Sequence, residues 1–274
     1  SSHSAEFTML EAYQSWGDQR TIAQLIHDII VAAADAVGSR QVETDQGTID
    51  LDGQWRWLPF FDGLSEAAGR EITVETSLEE LRAVADEREV EYDPKWNAGK
   101  LSLELFGDLV EPGLIQPTFV HDYPSLAQPL ARPHRSEPGK IEAWDLIIGG
   151  MERGTGFTEL IDPVIQRDVL VRQSLAAAAG DPEAMQLDED FLEALEYGAP
   201  PMGGMGLGID RLVMLLNPGA GIRETILYPL LRPSAGCGAS DLSGAQSRAP
   251  RKISPLPHRS RTTAWECRKG CGCS

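Results

Sequence analysis

The 274-residue chain is predicted to adopt an α/β fold with helices flanking a sheet, on three features of its sequence. Apolar residues recur at helical spacing over 21–37, β-type runs cluster beyond Leu114, and a glycine-rich stretch, Gly203 to Gly208, leads directly into an apolar helical run. With 42% hydrophobic residues the chain can bury one large core or two modest ones, which excludes disorder throughout.

In chain order, the apolar-aromatic run Phe7 to Tyr13 reads as a strand. Residues 21–37 follow as a helix, with Thr21 and Gln24 as a capping box, Ile22, Leu25, Ile26, Ile29 and Ile30 as the buried face, and Gly38 as the stop. His27 falls off that apolar stripe and reads as a solvated helix-face histidine. Residues 41–61 alternate weakly and carry Trp55 and Trp57 beside Gly53, which suggests a hairpin. Ser77 with Glu80 caps a charged helix through Arg88 that buries Leu78, Leu81 and Val84, and a further helix spans Ala98 to Val110. β-type runs come next at Ile115 to Val120, Ala143 to Gly150 and Phe157 to Ile161, the first two separated by a Pro/His/Arg-rich loop from Asp122 to Lys140. Asp162 and Pro163 open a helix to about Ala178; Asp188 opens another that Gly198, Pro200 and Pro201 close. Gly203 to Gly208 is then a strand entering the short helix IDRLVMLL. Beyond Pro233 periodicity is lost in a Ser/Gly/Pro/Arg-rich segment, which is expected to be disordered.

The formal charge of −18 is unevenly spread: residues 233–274 hold seven Lys/Arg against two Asp/Glu, leaving −23 for residues 1–232. Such acidity opposes nucleic acid and anionic lipid unless a local basic patch overrides it. All four cysteines (Cys237, Cys267, Cys271, Cys273) also lie beyond residue 232, so the acidic part needs no disulfide and fits a reducing cytoplasm. No apolar run approaches the ~20 residues of a membrane span, and SSHSAEF lacks the regions of a signal peptide, so a soluble cytoplasmic protein is expected.

Three acids stand at equal intervals, Asp145, Glu152 and Glu159, in a segment otherwise apolar and glycine-rich. Carboxylates in buried strands are costly unless they meet a cation. Asp145 and Glu152 would face opposite ways on one unbroken strand, but a bulge at Gly149-Gly150 would bring them together as a hard-oxygen pair suited to Mg²⁺ and phosphate; solvated edge carboxylates are the alternative. Gly204, Gly206 and Gly208 would let a ligand approach the backbone while Arg211 reaches phosphate or stacks on a base, or would simply let a helix pack closely. The spacing of GGMGLG is not that of a dinucleotide fingerprint, and no GK[ST] marks a P-loop. No Ser or Cys stands in a recognisable relation to a His, and the spacing of Cys267, Cys271 and Cys273 matches no common zinc site.

Glu6 to Asp18 (EFTMLEAYQSWGD), Leu114 to Pro124 (LIQPTFVHDYP), Gly150 to Arg167 (GMERGTGFTELIDPVIQR), Gly180 to Leu216 and Ile222 to Pro233 (IRETILYPLLRP) together resemble the catalytic domain of class II lysyl-tRNA synthetases. The likeness spans nearly all of residues 3–233. AWDLIIGGMERGT and EYGAPPMGGMG look most like the actinobacterial branch fused to a lipid-lysylating module. The resemblance implies an antiparallel sheet flanked by helices, an insertion at about residues 39–112, and ATP-dependent activation of lysine followed by transfer to tRNA(Lys). It further implies that Phe7 and Arg211 sandwich adenine, that Arg211 also neutralises the γ-phosphate as the catalytic residue, and that His3 sits near the phosphates. Asp145 and Glu152 would hold Mg²⁺ on ATP, and Glu11, Tyr13 and Glu159 would line the lysine pocket.

Several departures accompany the likeness. Asp145 stands where the family usually has Glu, and Thr155 where it usually has Asn. The chain starts inside the second class-defining motif, without that motif's α-phosphate arginine. It also lacks the first motif with its dimer contacts, an upstream glutamate of the lysine pocket, and the anticodon-reading OB-fold. Weak or no aminoacylation and poor tRNA affinity are therefore expected of this chain alone. A remnant that only binds lysine or ATP, and an enzyme that lysylates a protein or feeds lysyl-tRNA to lipid synthesis, are the alternatives.

Overall fold

The computed structural model describes residues 6–178 and 184–228; His3 and the segment beyond Pro233 lie outside them. Helix α1 (Gln19–Val37) starts two residues earlier than its periodicity suggests. Its N-cap is Asp18, whose carboxylate accepts the backbone N–H groups of Arg20 and Thr21, and the capping box is therefore Asp18 with Thr21 rather than Thr21 with Gln24. Gly38 ends the helix at a positive φ of 90°. His27 is not simply solvated, because its ring meets Trp55 edge-on at 4.5 Å.

The main sheet has six strands in the order β1-β8-β7-β6-β5-β4: β1 (Met9–Ser15), β4 (Arg56–Pro59), β5 (Thr118–His121), β6 (Ala143–Ile147), β7 (Glu152–Thr158) and β8 (Met202–Gly208). Neighbours are antiparallel except β4 and β5. A hairpin does form near residue 41, but it is short: β2 (Gln41–Thr44) and β3 (Gly47–Asp50) turn at 45–46, and the tryptophans lie outside it. Trp57 stands on β4 at the sheet's far edge, stacked on Phe119 at 4.8 Å with the Arg20 guanidinium 3.6 Å above it.

A helix absent from the sequence reading, α2 (Phe60–Ala68), follows β4. With α3 (Leu78–Glu87) and α4 (Ala98–Leu109) it packs Phe60, Leu64, Leu81, Leu105 and Phe106 into one core that also takes Val120, Ala143 and Ile147 from the sheet. The second core lies on the opposite sheet face. There α1 lays Ile22, Ile26 and Ile30 against Trp144, Leu146, Met205 and Leu207, joined by Leu212 and Leu215 of α7 (Ile209–Leu216). Helices α5 (Pro163–Ala178) and α6 (Glu189–Glu196) open at Asp162 and Asp188, and α8 (Ile222–Thr225) follows α7.

Contact between α1 and the sheet is close enough to exclude side chains from the strand positions beneath it. A Cβ on Gly156 would stand 2.4 Å from the Trp144 ring, and one on Gly154 would stand 2.6 Å from both Ile26 and the Gly206 carbonyl. Trp144 also donates its indole N–H to the Gln19 carbonyl at 2.7 Å, while the Gln19 N–H reaches the Thr158 hydroxyl at 3.0 Å, tying the start of α1 to β6 and β7. Gly156→Ala should cost about 1–3 kcal/mol in urea unfolding through overpacking. Gly107→Ala, in the interior of α4 with no atom within 4 Å of the added carbon, should gain about 0.5–1 kcal/mol instead.

Candidate active site

Strand register decides which side chains share the face away from α1. Side chains directly opposite in a ladder point the same way, and alternate residues along each strand reverse. Glu11 pairs with Gly206 and Tyr13 with Gly204; Thr155 also pairs with Gly206 and Phe157 with Gly204; Asp145 pairs with Thr155. Their neighbours Met205, Leu207, Trp144 and Leu146 belong to the core under α1. Glu11, Tyr13, Asp145 and Thr155 therefore lie on the opposite face, around a floor in which β8 offers only glycine. Helices α2 to α4 cover the β4-β5-β6 end of that face, and at the other end Tyr13 stays 61% exposed.

Glu159, just past β7, completes the acid group. Its backbone is held from two sides: its N–H bonds the Met202 carbonyl at 2.9 Å, and Ala131 of the 122–140 loop forms a bridge with it. Its side chain lies across Gly204, where an added Cβ would fall 2.0 Å from Oε1 and 2.8 Å from the Tyr13 ring. That oxygen is buried and has no hydrogen-bond partner among the described residues. Burial, reinforced by the negative charge of Glu11, pushes the Glu159 carboxyl up to about 8. Burial and the same carboxylates push the Tyr13 phenol up to about 12, and its hydroxyl donates to Glu11 at 3.5 Å. A buried acid with an orphan oxygen beside a second acid favours a cation carrying several N–H donors.

Nearer the start of β1, α7 brings Arg211 to the start of β7. Its guanidinium donates to the Glu152 carbonyl at 2.8 Å and stands 3.6 Å from the Glu152 carboxylate. Phe7 is 45% exposed, and the next residue is tied to the start of α7: the buried Asp210 carboxylate accepts the Thr8 N–H at 2.6 Å and the Ile209 N–H bonds the Thr8 carbonyl at 3.0 Å.

Asp145 and Glu152 reach a common face by a route other than a bulged single strand. Gly149 and Gly150, at φ of 65° and 64°, form a primed two-residue turn between β6 and β7. The register then slips so that Ile147 opposes Glu152 while Leu146 opposes Gly154, leaving Arg153 as the extra residue. Glu152 thereby becomes the diagonal neighbour of Asp145, about 7–8 Å away between Cα atoms. β7 accordingly starts at Glu152 rather than at Phe157.

Two site-building residues had no role in the sequence reading, Asp210 and Arg153. An acid in the first turn of an apolar helix was the available signal for Asp210; nothing in the pattern marked Arg153. Thr155 is 1% exposed and donates its hydroxyl to the Trp144 carbonyl at 3.1 Å, so that hydroxyl serves the sheet. A separate group, Asp122, His134 and Glu137, gathers potential ligand atoms within 4.8 Å. His134 Nδ1 accepts the Glu137 N–H at 3.0 Å, which leaves the ring proton on Nε2 facing Asp122 at 3.6 Å, and Lys140 takes the Glu137 carboxylate. These contacts fold the 122–140 loop and leave that imidazole no lone pair for a cation.

Comparison with known proteins agrees with this architecture. Lysine–tRNA ligase 1 of Mycobacterium tuberculosis (strain ATCC 25618 / H37Rv) is 48% identical over 241 residues, covering 85% of this chain and 48% of the relative. The lysylphosphatidylglycerol biosynthesis bifunctional protein LysX of Mycobacterium marinum is 48% identical over 238 residues, covering 85% of this chain and 21% of the relative. The LysX protein of Gordonia bronchialis is 46% identical over 239 residues, with the same coverages. The chain thus spans about half the length of the ligases and about a fifth of the bifunctional proteins it matches. Residues 1–232 match the family model of class II tRNA synthetases (D, K and N), and the chain belongs to that family.

Proposed function

We propose that residues 1–232 form a lysine-activating unit, with an insertion at about 39–112, that binds lysine and ATP and, within a longer protein, forms lysyl-adenylate and passes the lysyl group to tRNA(Lys). One observation carries the reading: the buried Glu159 carboxylate, with its orphan oxygen, faces Glu11 and Tyr13 across a glycine floor. The lysine ammonium groups supply the positive charge and the N–H donors that this group lacks. A neutral isostere would leave the acids unpaired, which typically gives large discrimination.

At the other end of the site, Arg211 and Phe7 would sandwich adenine, with Arg211 also facing the γ-phosphate. His3 is assigned to the phosphates on family resemblance alone. Asp145 and Glu152 fit a divalent cation, being hard-oxygen ligands on one face and diagonal neighbours on adjacent strands. Bound there, Mg²⁺ would offset the phosphate charge. In the first step a lysine carboxylate oxygen attacks the α-phosphorus as the bond to pyrophosphate breaks; in the second a ribose hydroxyl of tRNA takes the lysyl group and releases AMP. Neither step calls for a protein nucleophile, and the described side chains contribute orientation and fixed charge.

Lysine, ATP and tRNA(Lys) are thus the proposed partners, with a homodimer as the family's usual assembly. Among the described residues no helix is long and apolar enough to cross a membrane; a cytoplasmic location is part of the proposal. Likeness of the same degree to LysX proteins, named for lysylphosphatidylglycerol biosynthesis, favours one second reading, a synthetase module supplying lysyl groups to lipid.

Four outcomes are expected. Lysine affinity, measured by calorimetry, should rise about tenfold per pH unit up to a plateau near pH 8, because Glu159 must ionise to bind the ammonium; a flat profile would sink the assigned pocket. Glu159→Gln should weaken lysine binding at pH 8 by about 100-fold or more. The same substitution should stabilise the ligand-free protein at alkaline pH. The Glu159 carboxyl titrates higher folded than unfolded, so the native state holds more protons and loses stability as pH rises from about 4.5 to about 8. Thermal unfolding should accordingly favour Glu159→Gln above pH 8, and the advantage should vanish near pH 4. For activity, a version extended upstream should catalyse lysine-dependent ATP–pyrophosphate exchange; exchange driven better by another amino acid would overturn the substrate assignment.

A further inference from the structure

We propose that Arg153 is a positioning residue of the nucleotide site, riveting the turn that carries Glu152 to the helix that carries Arg211. This inference rests on the reading of Arg211 and Glu152 as ATP-facing groups.

The bulge in β7 makes Arg153 the extra residue between two ladder positions, and its side chain is 7% exposed. Nε donates to the Ile148 carbonyl at 3.1 Å, at the start of the Gly149-Gly150 turn, and Nη1 donates to the Arg211 carbonyl at 2.9 Å. Arg211 returns the connection by donating to the Glu152 carbonyl at 2.8 Å. Two arginines thus cross-link turn and helix in both directions, each through the other's backbone or that of the residue beside it. The turn is further fixed by the Gly149 and Gly150 N–H groups, which bond the carbonyls of Ile115 and Leu114 at 2.9 and 3.0 Å.

Among the described residues no carboxylate forms an ion pair with Arg153. Burial and the nearby Arg211 charge pull its guanidinium down to about 10. A buried, unpaired guanidinium is a costly way to fill space, and an apolar side chain would fill it more cheaply. What an apolar side chain cannot do is hold two carbonyls on different elements at once. A planar guanidinium does this along two edges, whereas a lysine ammonium is a point donor on a flexible stem. The half-buried Arg211 guanidinium would otherwise sample several rotamers. The rivet fixes the backbone from which it projects and the carbonyl against which it lies, so the cation is aimed before nucleotide arrives.

Calorimetric titration of Mg²⁺–ATP and, separately, of lysine into the full chain and its variants tests this. Arg153→Met should weaken ATP binding about 10–100-fold, the usual scale for losing the outer partner of a binding group, while lysine affinity and the near-ultraviolet circular dichroism stay within error of the parent. Arg153→Lys should fall between, and decides the matter if Arg153→Met does not fold. In an Arg211→Lys background the Arg153→Met loss should shrink severalfold, because Arg153 acts through Arg211; a merely structural role would leave that loss whole. Full ATP affinity in either folded Arg153 variant, or an undiminished loss in the Arg211→Lys background, would overturn the proposal alone. If the parent does not bind ATP, or binds it equally well as Arg211→Ala, the nucleotide-site reading fails and takes this inference with it.

Discussion

The close seating of α1 on β7 and β8 is the constraint on which the rest of the molecule depends. It strips side chains from one face at Gly154 and Gly156, where even a methyl group would collide with Ile26, Trp144 or backbone oxygen. With that face sealed by helix, functional side chains from these strands have to project the other way. On that side a second set of glycines in β8 leaves room for them. Glycine is therefore used twice in one pair of strands, once for helix packing and once for a floor over which Glu159 and Tyr13 can lie. Close helix packing, one of the two readings of GGMGLG, thus falls to Gly154 and Gly156 of β7, while Gly204 and Gly206 of β8 face the other side of the sheet.

The site built on this platform is electrically lopsided along its length. At one end, acids crowd together without an internal cation, and the folded state carries the resulting penalty in a carboxyl that resists ionisation. At the other end, burial and the nearby Arg211 charge disfavour the charge of Arg153. Such frustration is tolerable when ligands of opposite sign relieve it, an ammonium at the acidic end and a polyphosphate at the basic end. On the proposed function the arrangement would also orient its ligands, since the lysine side-chain ammonium is drawn to the acidic end and the nucleotide polyphosphate is repelled from it.

Local chemistry made much of the fold legible. Ser77 with Glu80, Asp162 with Pro163, and Asp188 each mark a helix start where one occurs. Helix α2 has no such mark, because its N-cap is Pro59, which offers no side-chain cap, and the neighbouring tryptophans imitate a hairpin. The start of β7 was misplaced for a different reason: ERGTGFT buries Arg153, Thr155 and Thr158 beside glycines, so no alternation of apolar and polar residues announces a strand. The acids of the site stood out as charges in an apolar segment, but their grouping depended on a hairpin turn and a one-residue slip that parity counting along a single strand could not supply. Arg153 was illegible because its partners are backbone carbonyls, which every residue possesses.

Strand order carries a consequence for how the chain comes to be folded. β1 pairs with β8 alone among the described residues, and β8 is inserted between β1 and β7, so β1 has no partner in this sheet until β8 is made. At synthesis rates of about 5–20 residues per second the interval is on the order of 10–40 s. Throughout it the hydrogen-bonding edge of β1 remains open to wrong partners, joined in its last part by that of β7. Because β8 is also the glycine floor, docking of this strand completes the sheet and the ligand site in a single late event.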